Sequence, residues 1–396
     1  MTGDPAAEDP VAGGPATGDS VTGGPAAEDP TIPSIGFGTA PMDDAQTELA
    51  VADALAAGYR LIDTAAAYGN EAGVGRAIAA TAVPRAEVLV ITKLPGRSHG
   101  YEATLTSFEE SRRRLGLSYL DFYLIHWPLP SLDAYVESWR ALIHLRSRDL
   151  VRHIGVSNFL PAHITRLIEE TGVAPAVNQV ELHPGFPQAE LRAFHDAHGI
   201  RTLAYSPLGR GPAGLGADLL GGDEIASVAR VHGVTPAQAV LRWHIQLRSV
   251  PLTRTSSLRR RRENLDVFGF TLTPDEMDRI TGNPPYTRVG FDPATHMECL
   301  SERVAIPAVF PISSPGLRGH PAATGRPATD RSTGGRSSRR VLTGPGSGPR
   351  AASMACQAAA SSTRSSAMTA RELKETQIMA SAARTGVPSG VVTVQA

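Results

Sequence analysis

The sequence predicts an α/β fold, a closed (β/α)8 barrel of the TIM type with disordered N- and C-terminal extensions, and three observations carry that reading. Residues 31–298 alternate short apolar runs with amphipathic segments of helical period, the pattern of a parallel sheet. The apolar runs number eight. Residues 1–30 and 299–396, by contrast, are made of small, polar, Pro and charged residues that bury no core. One such barrel takes about 250 residues, so a chain of 396 residues needs no second folded domain. An open doubly wound sheet is the competing architecture; eight successive right-handed crossover units favour closure.

The runs are four to six residues long, strand rather than helix length. In order they are Ile35 to Thr39, Arg60 to Asp63, Val88 to Thr92, Asp121 to His126, His153 to Ser157, Val177 to Glu181, Arg201 to Ser206 and Ser249 to Leu252. Helical segments between them include Ala45 to Ala57, Tyr101 to Leu115 and Ala134 to Arg146. Residues 209–214 satisfy the G-x-G-x-x-G expression, but a Rossmann unit is rejected. Pro212 and the small residues through Gly216 read as a long loop rather than a helix start, and no acidic residue ends a second strand about 20 residues on.

Residues 1–30 hold an imperfect acidic Pro/Gly/Ala repeat, Thr2 to Pro10 against Thr22 to Pro30, with no basic residue. Residues 299–396 form a basic low-complexity tail in which only Met368 to Ala383 has the composition of a weak helix. Across the chain 38 basic residues balance 39 acidic ones, which gives no reason to expect nucleic acid or a membrane surface as partner. Cys299 and Cys356 make neither a disulfide framework nor a CxxC metal site, so no metal is expected and a reducing compartment is. With no signal-like N-terminus and no run of 18 apolar residues, the expected location is the cytoplasm.

A parallel barrel carries its active site at the C-terminal ends of its strands, so the residue ending each run is informative. Those residues are Asp63, Lys93, His126, Ser157 with Asn158, and Gln179. The first three are spaced by roughly 30 residues, about one βα unit, and so describe neighbouring strands. The chain has only two lysines, Lys93 and Lys374, among its 38 Lys and Arg residues. A lysine kept where arginine is otherwise used points to a task for a compact ammonium rather than a planar guanidinium. Tyr68 follows in a short loop after the second strand. A phenol with a pKa of about 10 is a poor acid at neutral pH unless an ammonium lies close, and Lys93, held by Asp63, is the candidate.

The stretches Ile35-Gly-Phe-Gly-Thr39, Leu61-Ile-Asp-Thr-Ala-Ala-Ala-Tyr-Gly-Asn-Glu71, Ile91-Thr-Lys-Leu94, Leu124-Ile-His-Trp-Pro128, Ile154-Gly-Val-Ser-Asn-Phe159, Asn178-Gln-Val-Glu-Leu-His-Pro184 and Ala204-Tyr-Ser-Pro-Leu-Gly209 closely resemble the aldo-keto reductases. The resemblance is to bacterial, 2,5-diketo-gluconate reductase-like members of that family. The resemblance runs in order through nearly all of residues 31–298. It implies a catalytic tetrad of Asp63, Tyr68, Lys93 and His126, with Tyr68 the proton donor and His126 orienting the carbonyl. It places the nicotinamide amide on Ser157, Asn158 and Gln179 and the ring on Tyr205. Ser206, Leu208 and Gly209 then face the pyrophosphate, and Gly38 and Thr39 join the cofactor-binding set.

By the same resemblance, Arg254 and Thr255 occupy the positions that grip a 2′-phosphate, Arg260 the one that stacks on adenine, and Glu263 and Asn264 those at the adenine edge. Arginine stands here for the usual lysine, and Thr253 for the usual proline. Arg254 and the four arginines Arg259 to Arg262 make a dense cationic site, which favours NADPH, with NADH as the alternative. Arg259 and Arg261 also read as a solvated helix face. Trp127 is the expected substrate-pocket aromatic, whereas Ala40 and Pro95 stand where many relatives carry aromatics. The family's C-terminal substrate loop should begin near Tyr286 to His296.

The expectation is therefore NADPH-dependent reduction of an aldehyde or ketone to an alcohol by a cytoplasmic monomer. Two other classes compete: an NADPH-binding regulatory or scaffold protein with little turnover, and a barrel enzyme using Lys93 as a Schiff base.

Overall fold

A computed structural model describes residues 32–210, 214–282 and 287–296, all within the compact unit Met1–Ser314. The two extensions, Cys299, Cys356, Lys374, the 368–383 segment and Tyr286 lie outside the described residues.

Eight parallel strands close into a barrel in sequence order. They are β1 (Gly36–Gly38), β2 (Leu61–Asp63), β3 (Leu89–Leu94), β4 (Leu120–Ile125), β5 (Val151–Ser157), β6 (Val177–Glu181), β7 (Arg201–Tyr205) and β8 (Val250–Thr253). β1 closes on β8 through Gly36↔Leu252 and Phe37↔Thr253. Around them run α1 (Asp44–Ala57), α2 (Glu71–Ala80), α3 (Tyr101–Leu115), α4 (Tyr135–Ser147), α5 (Pro161–Thr171) and α6 (Ala189–Ala197). The chain continues through α7 (Gly216–Gly221), α8 (Asp223–Val231), α9 (Pro236–Gln246), α10 (Leu258–Leu265) and α11 (Pro274–Thr281). One expectation is corrected: the small-residue stretch is not loop throughout, because α7 starts at Gly216.

Strand periodicity explains why the barrel both fills and reacts. Leu61, Ile91, Phe122, Leu124, Val177, Leu203, Val250 and Leu252 pack together inside it. Side chains two residues apart share a face. Two residues beyond Leu61, Ile91, Leu124, Val177 and Leu203 come Asp63, Lys93, His126, Gln179 and Tyr205. The plug of apolar side chains thus passes, in one pleat repeat, into a layer of polar ones at the C-terminal mouth. Gly155 keeps the plug close-packed, since a Cβ there would lie 2.6 Å from Val177 and 2.8 Å from Leu124.

Outward-facing Val90, Tyr123 and Ile125 pack with Phe108 of α3 and Trp139 of α4 in the outer core. Burial of each such side chain contributes about 1.5–3 kcal/mol. Helix starts are set locally: Asp43 accepts from Gln46 N at 2.8 Å and Thr235 from Gln238 N at 3.3 Å. Among the described residues no helix is long and apolar enough to cross a membrane, and no cluster of His, Cys, Asp or Glu has the makings of a metal site.

Candidate active site

Tyr68 stands in a 3₁₀ turn, Ala66–Tyr68, that Gly69 closes in the left-handed conformation at φ 71°. The turn is pinned by its neighbours. Asn70, fully buried, donates through Nδ2 to the carbonyls of Thr39 and Met42 at 3.2 and 2.9 Å and to Thr47 Oγ1 at 3.0 Å. Its Oδ1 accepts from Thr64 Oγ1 at 2.8 Å. Glu71 accepts from Thr92 Oγ1 and from Arg114 Nε, both at 2.6 Å. The loop bearing the phenol is therefore fixed to α1, β3 and α3, a support that no single sequence motif revealed.

Lys93 is 0% exposed. Its ammonium donates to Asp63 Oδ1 at 2.7 Å and to the Thr64 carbonyl at 2.8 Å, and Gln179 Nε2 donates to the same Asp63 oxygen at 2.7 Å. β2 and β3 pair Asp63 with Ile91, so Lys93 lies one pleat repeat further up on the same face. Burial lowers the pKa of Lys93, against the raising influence of the Asp63 charge and hydrogen bond and of Glu71. The ammonium lies 5.3 Å from the Tyr68 ring centre. The His126 ring meets Tyr68 edge-on, with centroids 5.8 Å apart and planes at 77°. Burial, then the charges of Lys93 and His296, push the His126 pKa well below the usual histidine value, so the ring is a neutral imidazole. The four predicted tetrad residues are thus brought together.

The adjoining wall is made of amides and hydroxyls. Ser157 and Gln179 are in register across β5 and β6, and Ser157 Oγ donates to the Gln179 carbonyl at 2.8 Å. Asn158, at φ 63°, donates to the His126 carbonyl at 3.1 Å and accepts from Tyr205 OH at 2.8 Å. Neither Ser157 nor Asn158 caps α5, whose capping position is Leu160. Burial raises the Tyr205 pKa, with Glu181 adding to it, and so keeps that hydroxyl a donor. Beyond it Ser206 and Gly209 both take left-handed backbone, and Gly209 N donates to the Ser206 carbonyl at 2.9 Å, turning the chain at Leu208. Thr39 Oγ1 donates to the Asp63 carbonyl at 3.1 Å, and a Cβ on Gly38 beside it would make ordinary contact with the Thr253 carbonyl at 3.9 Å.

At the far side of the mouth, Ser257 caps α10 by accepting from Arg260 N, and Thr255 Oγ1 accepts from Ser257 N at 3.1 Å. Arg254, Arg259, Arg260 and Arg262 are exposed. Arg261 is not, which corrects its reading as a solvated residue. It is 4% exposed, pairs with Asp53 at 2.8 Å and lies 5.6 Å above the Phe37 ring. Helical phase explains the difference, since Arg261 and Asn264 share the inner face of α10. Glu263 is held by Arg259 at 2.5 Å, and Asn264 is buried.

Trp127 is buried beside His126, and two residues of the Tyr286 to His296 stretch, expected as the start of the substrate loop, complete its surroundings. The His296 ring lies 4.2 Å from Trp127 by centroids, and Phe291 stacks on His296 at 4.5 Å with planes at 18°. The resemblance locates the stretch, and what it leaves open is which of its rings, Tyr286, Phe291 or His296, meets Trp127.

Residues 34–283 match the Aldo/keto reductase family. The 2,5-diketo-D-gluconic acid reductase B of Corynebacterium sp. is 49% identical over 263 residues, covering 66% of this chain and 93% of that protein. The crystal structure of an aldo/keto reductase from Brucella melitensis has a TM-score of 0.61 at 46% identity, covering 63% of this chain and 93% of that one. A Gox0644 mutant crystallised in complex with NADPH has a TM-score of 0.63 at 42% identity, covering 67% and 95%. Barrel, strand-end chemistry and matched length agree: the chain belongs to the aldo/keto reductase family and is an NAD(P)H-dependent oxidoreductase.

Proposed function

We propose that the chain reduces an aldehyde or ketone to an alcohol with NADPH, Tyr68 giving the proton to the carbonyl oxygen. The observation that carries this reading is the buried Lys93–Asp63 pair at 2.7 Å with its ammonium 5.3 Å from the Tyr68 ring. Such a charge favours the phenolate over the phenol and so makes the hydroxyl a better acid. A neutral His126 at the edge of Tyr68 is suited to hydrogen-bond the carbonyl oxygen and align it, without carrying a charge of its own.

The residues present fit a nicotinamide dinucleotide. Gln179 spends its Nε2 on Asp63, which leaves Oε1 as an acceptor for a carboxamide, and Ser157 and Asn158 stand beside it. Tyr205 offers a ring face, Ser206 to Gly209 a tight turn, and Arg254, Thr255 and Arg260 the cationic end; Glu263 and Asn264 lie one turn on. Bound NADPH supplies the hydride. The relative crystallised with NADPH supports this donor; NADH is the alternative. A Schiff base on Lys93 is disfavoured, since it needs an accessible amine and this one is wholly buried with two hydrogen-bond acceptors.

We assign the activity to residues 31–298 and expect a cytoplasmic monomer. The experiment is NADPH and NADH oxidation followed at 340 nm over a panel of aldehydes, ketones and sugar keto acids. The 2,5-diketo-D-gluconic acid of the Corynebacterium relative's name belongs in that panel. Turnover of some carbonyl with NADPH supports the reading; NADPH binding without any turnover favours a regulatory protein.

A further inference from the structure

Glu181 is the inward residue that ends β6, two positions beyond Gln179, and it is fully buried. Its carboxylate finds no lysine or arginine at ion-pair distance among the described residues. Oε1 accepts from Val289 N at 2.5 Å and Oε2 from Gly290 N at 2.6 Å, so two successive amides from 108 and 109 residues away hold one oxygen each. His183 Nε2 lies 3.1 Å from Oε1. A buried carboxylate without such donors is costly, and hydrogen bonds to an ionised acceptor are about twice as strong as neutral ones.

The segment it holds has few other ties. Thr287 N donates to the Gly185 carbonyl at 2.7 Å, and the Arg288 guanidinium lies 4.6 Å above the Phe186 ring, both in the loop that follows β6. Phe291 is 58% exposed, so apolar burial anchors the segment only weakly. Gly290 is pressed against the carboxylate: a Cβ there would meet Glu181 Oε2 at 2.5 Å, Arg210 Nη2 at 3.2 Å and Tyr205 OH at 3.4 Å. From this point the chain runs on to the rings of Phe291 and His296 that face Trp127.

We infer that Glu181 is a positioning residue whose carboxylate seats residues 287–296 in the barrel mouth and so fixes the aromatic wall of Trp127, Phe291 and His296. That wall sets the preference for carbonyl compounds large enough to touch it. The inference rests on the reductase reading for its kinetic consequence, but the seating itself is measured without turnover.

The test uses the full chain with Glu181→Gln and Gly290→Ala. The first keeps the side-chain shape but turns an NH2 toward one of the two amides. The second forces a methyl into the carboxylate from a half-exposed position and keeps the barrel fold if the buried substitution does not. Hydrogen–deuterium exchange of residues 287–296 should quicken by about tenfold or more in both variants. The KM for p-nitrobenzaldehyde should rise about tenfold with little change in kcat, while that for methylglyoxal, too small to span the pocket, stays within about twofold. Unchanged exchange in the folded variants overturns the seating. Faster exchange with an unchanged KM for p-nitrobenzaldehyde, or an equal rise for both aldehydes, overturns the role in substrate preference. If the wild-type chain reduces neither aldehyde the specificity claim falls with the reductase reading, while exchange still decides the seating.

Discussion

Lys93 donates to Asp63 Oδ1 at 2.7 Å from a position closed to solvent, and both side chains rise from the apolar plug of the barrel on neighbouring strands. A buried ion pair of this kind stabilises little by itself, because desolvation offsets most of the attraction. Its effect is local. It holds a positive charge beside Tyr68, and the compact ammonium fits where a guanidinium would need more room.

Asp63→Asn keeps the shape and removes the charge, so burial acts on Lys93 with less opposition and its pKa falls further. The charged form of a lysine is lost as pH rises through its pKa. The alkaline limb of kcat/KM should therefore move to lower pH, and kcat should fall by about 10²–10⁴. A pH profile of the variant beside wild type checks this; an unmoved limb would mean that Lys93 does not tune the reaction.

Lys93→Met removes one partner and leaves a buried carboxylate uncompensated, which should cost about 3–5 kcal/mol of stability. Adding Asp63→Asn should recover part of that loss. Urea denaturation of the single and double variants measures the difference, and equal stabilities would contradict the pairing.

His126 should stay neutral across the physiological range, because burial and then the Lys93 charge disfavour its protonation. Ring NMR signals of His126 should show no titration between about pH 6 and 8. A midpoint inside that window would remove the neutral-imidazole account of carbonyl alignment.

Arg254 and Arg261 should part company. Arg254→Ala should weaken NADPH by roughly 10- to 100-fold and NADH far less, since a phosphate loses a charge-assisted partner. Arg261→Ala should lower the melting temperature, through its buried contacts with Asp53 and Phe37, without changing the NADPH to NADH ratio. Calorimetric titration and thermal melts of both variants separate the two outcomes.

The barrel was legible because eight apolar runs announce its strands, and five of them are marked a second time by a polar residue at or near the end. Asp63, Lys93, His126 and Gln179 follow directly from that pattern, and Tyr68 from the loop after β2. The run Arg259 to Arg262 was harder. Composition treats its members alike, whereas the phase of α10 turns Arg261 into the core and leaves its neighbours in solvent. The motifs that contain Asn70 and Glu181 point to no role for either, because what they bind is remote in sequence. Asn70 reaches Thr39 across 31 residues and Glu181 reaches Val289 across 108. No periodicity links such partners; only the closed barrel does.

The most direct measurement is carbonyl-dependent NADPH oxidation by Tyr68→Phe, with NADPH binding followed in parallel by fluorescence. With Tyr68 as proton donor, turnover should fall by about 10²–10⁴ while NADPH binding is retained. Turnover equal to wild type with binding intact would contradict the mechanism at its centre.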